Sequence, residues 1–128
     1  MHLSERLVEM FSPLAAVIKG HQLAVALLDG PITAFEQDVR YTAQGRWYAN
    51  HQGLFDYAQH SANPVGRLLL HLYGVQGEQA LRESDAICTA LQLINFWQDL
   101  SVDLPRQRYY LPLDLLGKNG LAREDVLL

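Results

Sequence analysis

Apolar residues recur at helical spacing along most of the chain. Leu3, Leu7, Phe11 and Leu14 follow the i, i+4, i+8, i+11 pattern that places side chains on one face of a helix. No segment of useful length shows the strict alternation of apolar and polar residues that marks a half-buried strand. The pattern therefore predicts an all-α fold, built as a helical bundle.

Prolines and glycines predict where the first helices begin and end. Pro13 follows a serine that could cap a helix, so a helix is expected over residues 14–19, ended by the glycine that comes next. A second helix is expected over residues 22–38. It should kink or break at Gly30-Pro31, because proline removes a hydrogen-bond donor and clashes with the preceding turn.

The middle of the chain predicts a bent helix after a polar, poorly periodic stretch over residues 42–52. Apolar and aromatic residues then resume over residues 54–73. Asn63-Pro64 interrupts this segment and Gly74 follows it. Because a proline disfavours helical geometry at the residue before it, we expect a helix with a bend at that point and an end at the glycine.

The second half of the chain predicts one extended helix and two short ones. Residues 78–102 contain neither glycine nor proline, and Pro105 marks the expected end of that helix. Residues 112–116 are expected to form one helical turn. A last helix should begin within residues 121–128 and stop abruptly.

Polar residues form a line along the extended helix. At about 100° per residue, Gln92, Asn95, Asp99 and Asp103 fall within an arc of roughly 80°. Apolar residues take nearly every other direction, so we expect protein to enclose this helix on most sides and the polar line to point inward. Two buried carboxylates without a cation would each cost several kcal/mol, so a positive group should meet them.

A magnesium ion fits this requirement. Mg²⁺ prefers oxygen ligands and is commonly held by one or two carboxylates, while substrate phosphates complete its shell. Asp99 and Asp103 are the candidate ligands, and Arg108 could neutralise further phosphate charge with its planar guanidinium. The residues alone leave a second interpretation open, in which the aspartates and Arg108 lie on a solvated helix face.

Composition and charge exclude several other classes of function. The net charge of −4, with its basic residues scattered, provides no footprint for nucleic acid and no polybasic patch for anionic lipid. Cys88 is the single cysteine, and no stretch of about 20 apolar residues occurs. Because the first residues lead into no apolar segment with a small-residue cleavage site, we expect no signal peptide. A cytoplasmic protein is expected; it should not span a membrane, although peripheral contact with one stays open.

Two segments resemble one known family. QLINFWQDLSVD, from Gln92 to Asp103, with RYYLP from Arg108, closely resembles the second aspartate-rich motif of the squalene/phytoene synthase family. YAQHSANPVGR, from Tyr57, resembles the active-site helix of that family. The latter segment and SDAICTALQ, from Ser84, are more similar to the bacterial hydroxysqualene synthase branch, which serves hopanoid synthesis.

The resemblance implies head-to-head prenyl chemistry within part of an isoprenoid synthase fold. Magnesium would assist the loss of diphosphate from farnesyl or presqualene diphosphate, and an apolar helical cavity would steer the resulting carbocation. The product would be squalene or hydroxysqualene, water trapping the cation in the second case. In such an enzyme Asp99 and Asp103 are implied to bind the metal and act in catalysis.

The same resemblance assigns roles to further residues. Tyr57 matches the active-site tyrosine of the family, whose ring could stabilise a cation and whose hydroxyl could hold the departing diphosphate or a water; its alternative role is that of a core aromatic. The residues implied to contact substrate are Gln92, Asn95, Arg108, Ala62, Val65 and Gly66. Ordinary helix packing explains the last three nearly as well.

The chain also departs from the family pattern. No paired aspartates precede Asp99, although family members carry an earlier aspartate-rich motif. The resemblance covers about the middle half of a typical member, so residues 1–128 are expected to form one domain that is a fragment or truncated product, not active alone. Its incomplete bundle would expose apolar surface, which predicts a homo-oligomer. The alternative function is a catalytically inactive helical association module.

Overall fold

Helices follow one another along nearly the whole chain. The computed structural model describes residues 2–127. Its elements are α1 (Leu3–Gly20), α2 (Val25–Gln44), α3 (His51–Ser61), α4 (Asn63–Leu72), α5 (Glu78–Gln98), α6 (Leu100–Asp103), a 3₁₀ turn (Leu104–Arg106), α7 (Leu113–Lys118) and α8 (Arg123–Val126). No strand occurs between residues 2 and 127, so the predicted all-α fold is confirmed. The turn predicted over residues 112–116 corresponds to α7, and the helix predicted to begin within residues 121–128 corresponds to α8, while residue 128 lies outside the described range.

The helix start predicted at Pro13 is wrong, and the predicted kink or break at Gly30-Pro31 does not divide the second helix. Helix α1 runs through Pro13, and α2 runs through Pro31. In α2, packing outweighs the one backbone hydrogen bond that a proline removes. Gly30 lies so close to α4 that a Cβ atom there would come within 2.9 Å of Pro64 Cγ, and Ala34 is only 1% exposed. These contacts hold the two halves of α2 in one helix.

The bend predicted at Asn63-Pro64 is present. Helix α3 ends at Ser61 and α4 begins at Asn63, with Ala62 between them. Pro64 lies in the first turn of α4, where backbone N–H groups have no partner within the helix, so the missing N–H of proline costs nothing. Asn50 begins α3, its side-chain oxygen accepting the Gly53 N–H at 3.0 Å. Gly74 ends the segment with a φ of +69°, a conformation that favours glycine. The bend and the end of this segment therefore agree with the prediction made from its proline and glycine.

The extended helix predicted over residues 78–102 stops earlier, at Asp99. Asp99 has φ −94° and ψ 13° and separates α5 from α6. Its N–H donates to the Asn95 carbonyl at 3.0 Å, and its own carbonyl accepts the Asp103 N–H at 2.9 Å. Aspartate is a weak former of helix interiors, which is consistent with a break at this position without glycine or proline, although the Asp99 side chain makes no capping hydrogen bond to α6.

Helix α5 is not enclosed as expected. It packs on α3 and α4, with Phe96 at 9% exposure on the covered side. Its opposite side leaves Ile87, Leu91, Ile94 and Trp97 exposed. The expectation is wrong because, among the described residues, no helix covers that side of α5; α1, which is fully described, has no buried residue.

The core is aromatic and lies where α2, α3 and α5 meet the connection before α7. Its buried members are Ala34, Tyr48, Leu54, Tyr57, Phe96 and Tyr110. The Phe96 and Tyr110 rings stack with centroids 3.8 Å apart, and Leu54 is fully buried. Within residues 2–127, we find no helix with the length and apolar character required to cross a bilayer.

Candidate functional site

Asp103 is a buried carboxyl group at the last residue of α6. It is 9% exposed. Burial raises its pKa above the usual aspartate value; the positive charge of Arg108 lowers it, and the negative charge of Asp99 raises it again. Across the described chain, no ion pair involves Asp103. No lysine, arginine or histidine side chain among the described residues is therefore paired with this carboxylate, and a cation placed beside it would stabilise its charged form.

Asp99 lies one turn before Asp103 but is exposed. The expectation that both aspartates point into protein is therefore wrong for Asp99, because α5 ends there and the side chain reaches solvent. The difference has a chemical consequence. A metal ion held by the two carboxylates would keep an open side for waters and phosphate oxygens, as Mg²⁺ sites commonly do.

A tight turn follows α6 and brings the backbone of Arg108 next to that of Asp103. Gln107 has a φ of +60°, and its N–H donates to the Leu104 carbonyl at 3.0 Å. The next N–H, that of Arg108, donates to the Asp103 carbonyl at 3.0 Å. A left-handed conformation costs a non-glycine residue roughly 1–2 kcal/mol. The turn places Arg108, whose side chain is exposed, beside the buried aspartate.

Tyr57 is connected to a carboxylate that the sequence did not single out, Asp38 of α2. The Tyr57 hydroxyl donates to Asp38 Oδ2 at 2.5 Å, and the Tyr110 hydroxyl donates to Asp38 Oδ1 at 2.8 Å. Burial, reinforced by these hydrogen bonds, raises the pKa of both tyrosines far above the usual value of a phenol. Both phenols therefore keep their protons, and both protons are directed to Asp38.

This arrangement limits what Tyr57 can do. Tyr57 is 4% exposed, and its ring packs against Phe96 at 5.8 Å and Tyr110 at 6.0 Å between centroids. Its hydroxyl group already donates its one hydrogen bond to Asp38. Any further contact would have to use the ring or the remaining oxygen lone pairs. The structure thus gives Tyr57 the core-aromatic environment that the sequence left open as an alternative.

The four side chains of the polar line predicted along the extended helix differ in their exposure to solvent. Gln92 Nε2 donates to Ser61 Oγ at 3.3 Å and links α5 to α3. Asn95 is exposed, as is Asp99, whereas Asp103 is buried. The four side chains therefore do not form one enclosed polar stripe. The end of the line, at Asp99 and Asp103, is the part that lies near Arg108.

The small residues predicted to line a cavity lie around the break between α3 and α4. Ala62 is half-buried, Val65 is 50% exposed and Gly66 is buried. A Cβ atom at Gly66 would come within 2.6 Å of Cys88 Sγ and still closer to Ser84 Oγ, both on α5. Gly66 therefore serves the close approach of α4 and α5.

The residues present fit magnesium better than a metal that needs a full protein cage. In the part of the chain that the structure describes, no group of three or more histidine, cysteine, aspartate or glutamate side chains could hold a metal ion. Mg²⁺ commonly needs only one or two carboxylates, with waters and phosphate oxygens completing the octahedron. Asp99 and Asp103 are the two carboxylates that would serve as such a donor set, and a cation there would offset the burial of Asp103.

Asp38 and Tyr110 are the residues near the site that sequence reasoning missed. The hydrogen bonds of Asp38 span 19 and 72 positions along the chain, so local spacing could not reveal them. One signal was available. Asp38 follows Ala34 by four residues and precedes Tyr41 by three, which places a carboxylate on the apolar face of α2.

The chain has the helical architecture of a squalene synthase. It superposes on the crystal structure of squalene synthase HpnC from Alicyclobacillus acidocaldarius with a TM-score of 0.83 and 35% sequence identity, over 91% of this chain and 43% of that one. The family model for squalene/phytoene synthase matches residues 2–128. The chain belongs to the squalene/phytoene synthase family, as the two sequence motifs predicted.

Curated relatives carry related activities in their names. A hydroxysqualene synthase from Sinorhizobium fredii is 38% identical over 96 residues, which is 74% of this chain and 31% of the relative. A presqualene diphosphate synthase from Rhodopseudomonas palustris is 31% identical over 101 residues, 78% of this chain and 33% of the relative. The chain therefore spans about a third of the length of these relatives.

Proposed function

We propose that this chain provides part of a magnesium-dependent prenyl-diphosphate site within a longer enzyme of the squalene/phytoene synthase type. The observation that carries the proposal is the environment of Asp103. Asp103 is buried and makes no ion pair with any residue between 2 and 127, and it lies one turn from Asp99 and beside the backbone turn that presents Arg108. Farnesyl or presqualene diphosphate is the proposed substrate, in line with the names of the relatives.

The proposed chemistry is the loss of diphosphate from an allylic or cyclopropylcarbinyl carbon, followed by condensation or rearrangement to squalene or hydroxysqualene. Bound magnesium would supply positive charge to the diphosphate oxygens as they take up the electron pair of the breaking C–O bond. Asp99 and Asp103 would hold the metal. The exposed Arg108 guanidinium would bind diphosphate oxygens in a bidentate manner and neutralise the charge that develops there.

Turnover is assigned to the longer enzyme and not to these residues alone. The chain covers 31% of the Sinorhizobium relative, and it has no paired aspartates before Asp99. Two carboxylates can hold one Mg²⁺ ion but leave much of the diphosphate charge uncompensated. We therefore expect the 128-residue chain to bind diphosphate in the presence of magnesium without catalysing its loss.

Calorimetric titration with inorganic pyrophosphate, with and without Mg²⁺, tests this proposal. We expect binding that requires Mg²⁺ and that weakens about tenfold or more in Asp103→Asn, because loss of a charged ligand costs roughly 1.5–3 kcal/mol. Asp29→Asn is the matched control, since it removes the same charge from an exposed position on α2. Binding that is independent of Mg²⁺, or equally affected by both substitutions, would contradict the proposal.

A second function, that of a helical association module without catalysis, is favoured by a different observation. Helix α1 has no buried residue, and its apolar side chains Leu3, Leu7 and Phe11 are exposed. Apolar surface of this kind often marks an interface. Sedimentation analysis that shows a tight symmetric dimer, together with no magnesium-dependent pyrophosphate binding, would select this function.

A further inference from the structure

We propose that Asp38 is a positioning residue, which fixes Tyr57 and Tyr110 and through them the two chain segments that carry the candidate diphosphate site. The inference rests on the proposed function for its consequence, although the positioning itself can be measured without any ligand. Asp38 is assigned no contact with metal or substrate. Its role is to hold the segments that contain Arg108 and Asp103 in fixed positions relative to each other.

The carboxylate of Asp38 is shared between two distant parts of the chain. Asp38 belongs to α2, Tyr57 to α3, and Tyr110 to the connection that precedes α7. Each phenol uses a different oxygen of Asp38, at 2.5 and 2.8 Å. Hydrogen bonds to a charged acceptor are about twice as strong as those between neutral groups. One half-buried side chain therefore joins three segments.

Tyr110 carries this connection to both sides of the candidate site. It lies two residues after Arg108, so fixing its ring fixes the backbone that presents the guanidinium. Its ring also stacks on Phe96, with centroids 3.8 Å apart and an angle of 6° between planes. Phe96 lies three residues before Asp99 in the last turn of α5. A shift of Tyr110 would therefore change the position of Arg108 relative to the two aspartates.

A carboxylate is required at position 38 because this side chain must accept hydrogen bonds from two hydroxyl groups at once. An ionised aspartate accepts hydrogen bonds on both oxygens, whereas asparagine offers one acceptor oxygen and one donor amide. In Asp38→Asn, one phenol would lose its acceptor or would have to turn its proton away.

The experiment compares Asp38→Asn and Asp38→Glu with the unmodified 128-residue chain, with Asp29→Asn as the matched control. The first readout needs no ligand: amide hydrogen exchange in residues 107–111. We expect about tenfold faster exchange in Asp38→Asn, as one hydrogen bond to a charged group is lost, and substantial recovery in Asp38→Glu, which keeps two acceptor oxygens. The control should exchange like the unmodified chain.

The second readout is the affinity for magnesium pyrophosphate, measured as a double-substitution cycle. Asp38→Asn should lower the affinity by about fivefold to tenfold, yet it should have little further effect once Tyr57→Phe and Tyr110→Phe are present. An equal loss in both backgrounds would show that Asp38 acts otherwise than through the two phenols and would overturn the inference. A loss of general stability alone would not produce this dependence on the background.

The two proposals fail in different ways. If the unmodified chain binds no magnesium pyrophosphate, the proposed function fails, while hydrogen exchange still decides whether Asp38 positions the connection over residues 107–112. If pyrophosphate binds but Asp38→Asn changes neither the exchange nor the affinity, the positioning role is wrong and the proposed function stands.

Discussion

The Tyr57 hydroxyl and the Tyr110 hydroxyl donate hydrogen bonds to opposite oxygens of the same Asp38 carboxylate, at 2.5 and 2.8 Å. Tyr57→Phe removes one of these bonds and keeps the ring packing. We expect the free energy of unfolding to fall by about 1–2 kcal/mol, measured by urea denaturation, because a charged acceptor loses a buried donor. Tyr73→Phe, at an 82% exposed position, is the control and should change little. Equal effects of the two substitutions would argue against the shared carboxylate.

Asp103 is predicted to lower stability at neutral pH while it supports binding. Burial raises the pKa of Asp103 in the folded state, so the folded state binds this proton more tightly than the unfolded state does. Below the ordinary value of 3.8 the residue is protonated in both states and costs no stability, whereas the free energy of unfolding falls as pH rises through the raised pKa. Asp103→Asn should therefore unfold at a temperature a few degrees higher than the unmodified chain at pH 7. The difference should narrow as the pH falls toward 3.8, as thermal melts across pH can show. A less stable variant at pH 7 would contradict the assignment of burial as the main cause.

Gly66 distinguishes a packing role from a cavity-lining role. A Cβ atom there would come within 2.6 Å of Cys88 Sγ and also clash with Ser84 Oγ, so Gly66→Ala should destabilise the chain by about 1–3 kcal/mol. Gly117→Ala is the control, because no atom lies within 4 Å of its added Cβ and the residue is helical. Thermal denaturation compares the two variants. Unchanged stability in Gly66→Ala, with weaker binding of a farnesyl-bearing ligand, would favour the cavity instead.

The pair of His51 and Asp114 predicts a loss of stability in acid. His51 Nδ1 donates to Asp114 Oδ2 at 2.9 Å, and this hydrogen bond lowers the pKa of Asp114 below its usual value of 3.8. A carboxyl group whose pKa is lowered on folding stabilises the folded state at any pH above its ordinary pKa. That stabilisation is lost as the pH falls through the lowered pKa of the folded state. Asp114→Asn should therefore reduce stability at pH 6, and the gap to the unmodified chain should close below pH 3.8. Asp56→Asn, whose exposed side chain bonds only to Gln52 of the same helix among the described residues, should show a smaller gap in the same acid titration.

The sequence predicted the fold class and the family because those signals are local. Helical spacing, the bend at Asn63-Pro64 and the two motifs each lie within a short window, and the helices, the bend and the family that they predicted are confirmed. The break at Asp99 was missed because it depends on a single residue without proline or glycine around it. Conversely, Pro31 does not break α2, since contacts with α4 outweigh the local preference.

The candidate site was only partly predictable. Asp103, Asp99 and Arg108 lie within ten residues, so their nearness follows from one helix end and one turn. Their different exposure does not follow from spacing, because it depends on which other segments cover the helix. The role of Asp38 could not be predicted for the same reason, because its hydrogen-bond partners lie on another helix and on the connection before α7.

The most direct test of the central claim is to locate the metal ion itself. Mn²⁺ can replace Mg²⁺ at oxygen sites and broadens nuclear resonances near it, so it can be added with pyrophosphate to the labelled chain. We predict selective broadening of the amides of residues 99–108 in the unmodified chain and its loss in Asp103→Asn. Broadening that is centred elsewhere, or that persists unchanged in Asp103→Asn, would contradict a metal–diphosphate site at Asp99 and Asp103.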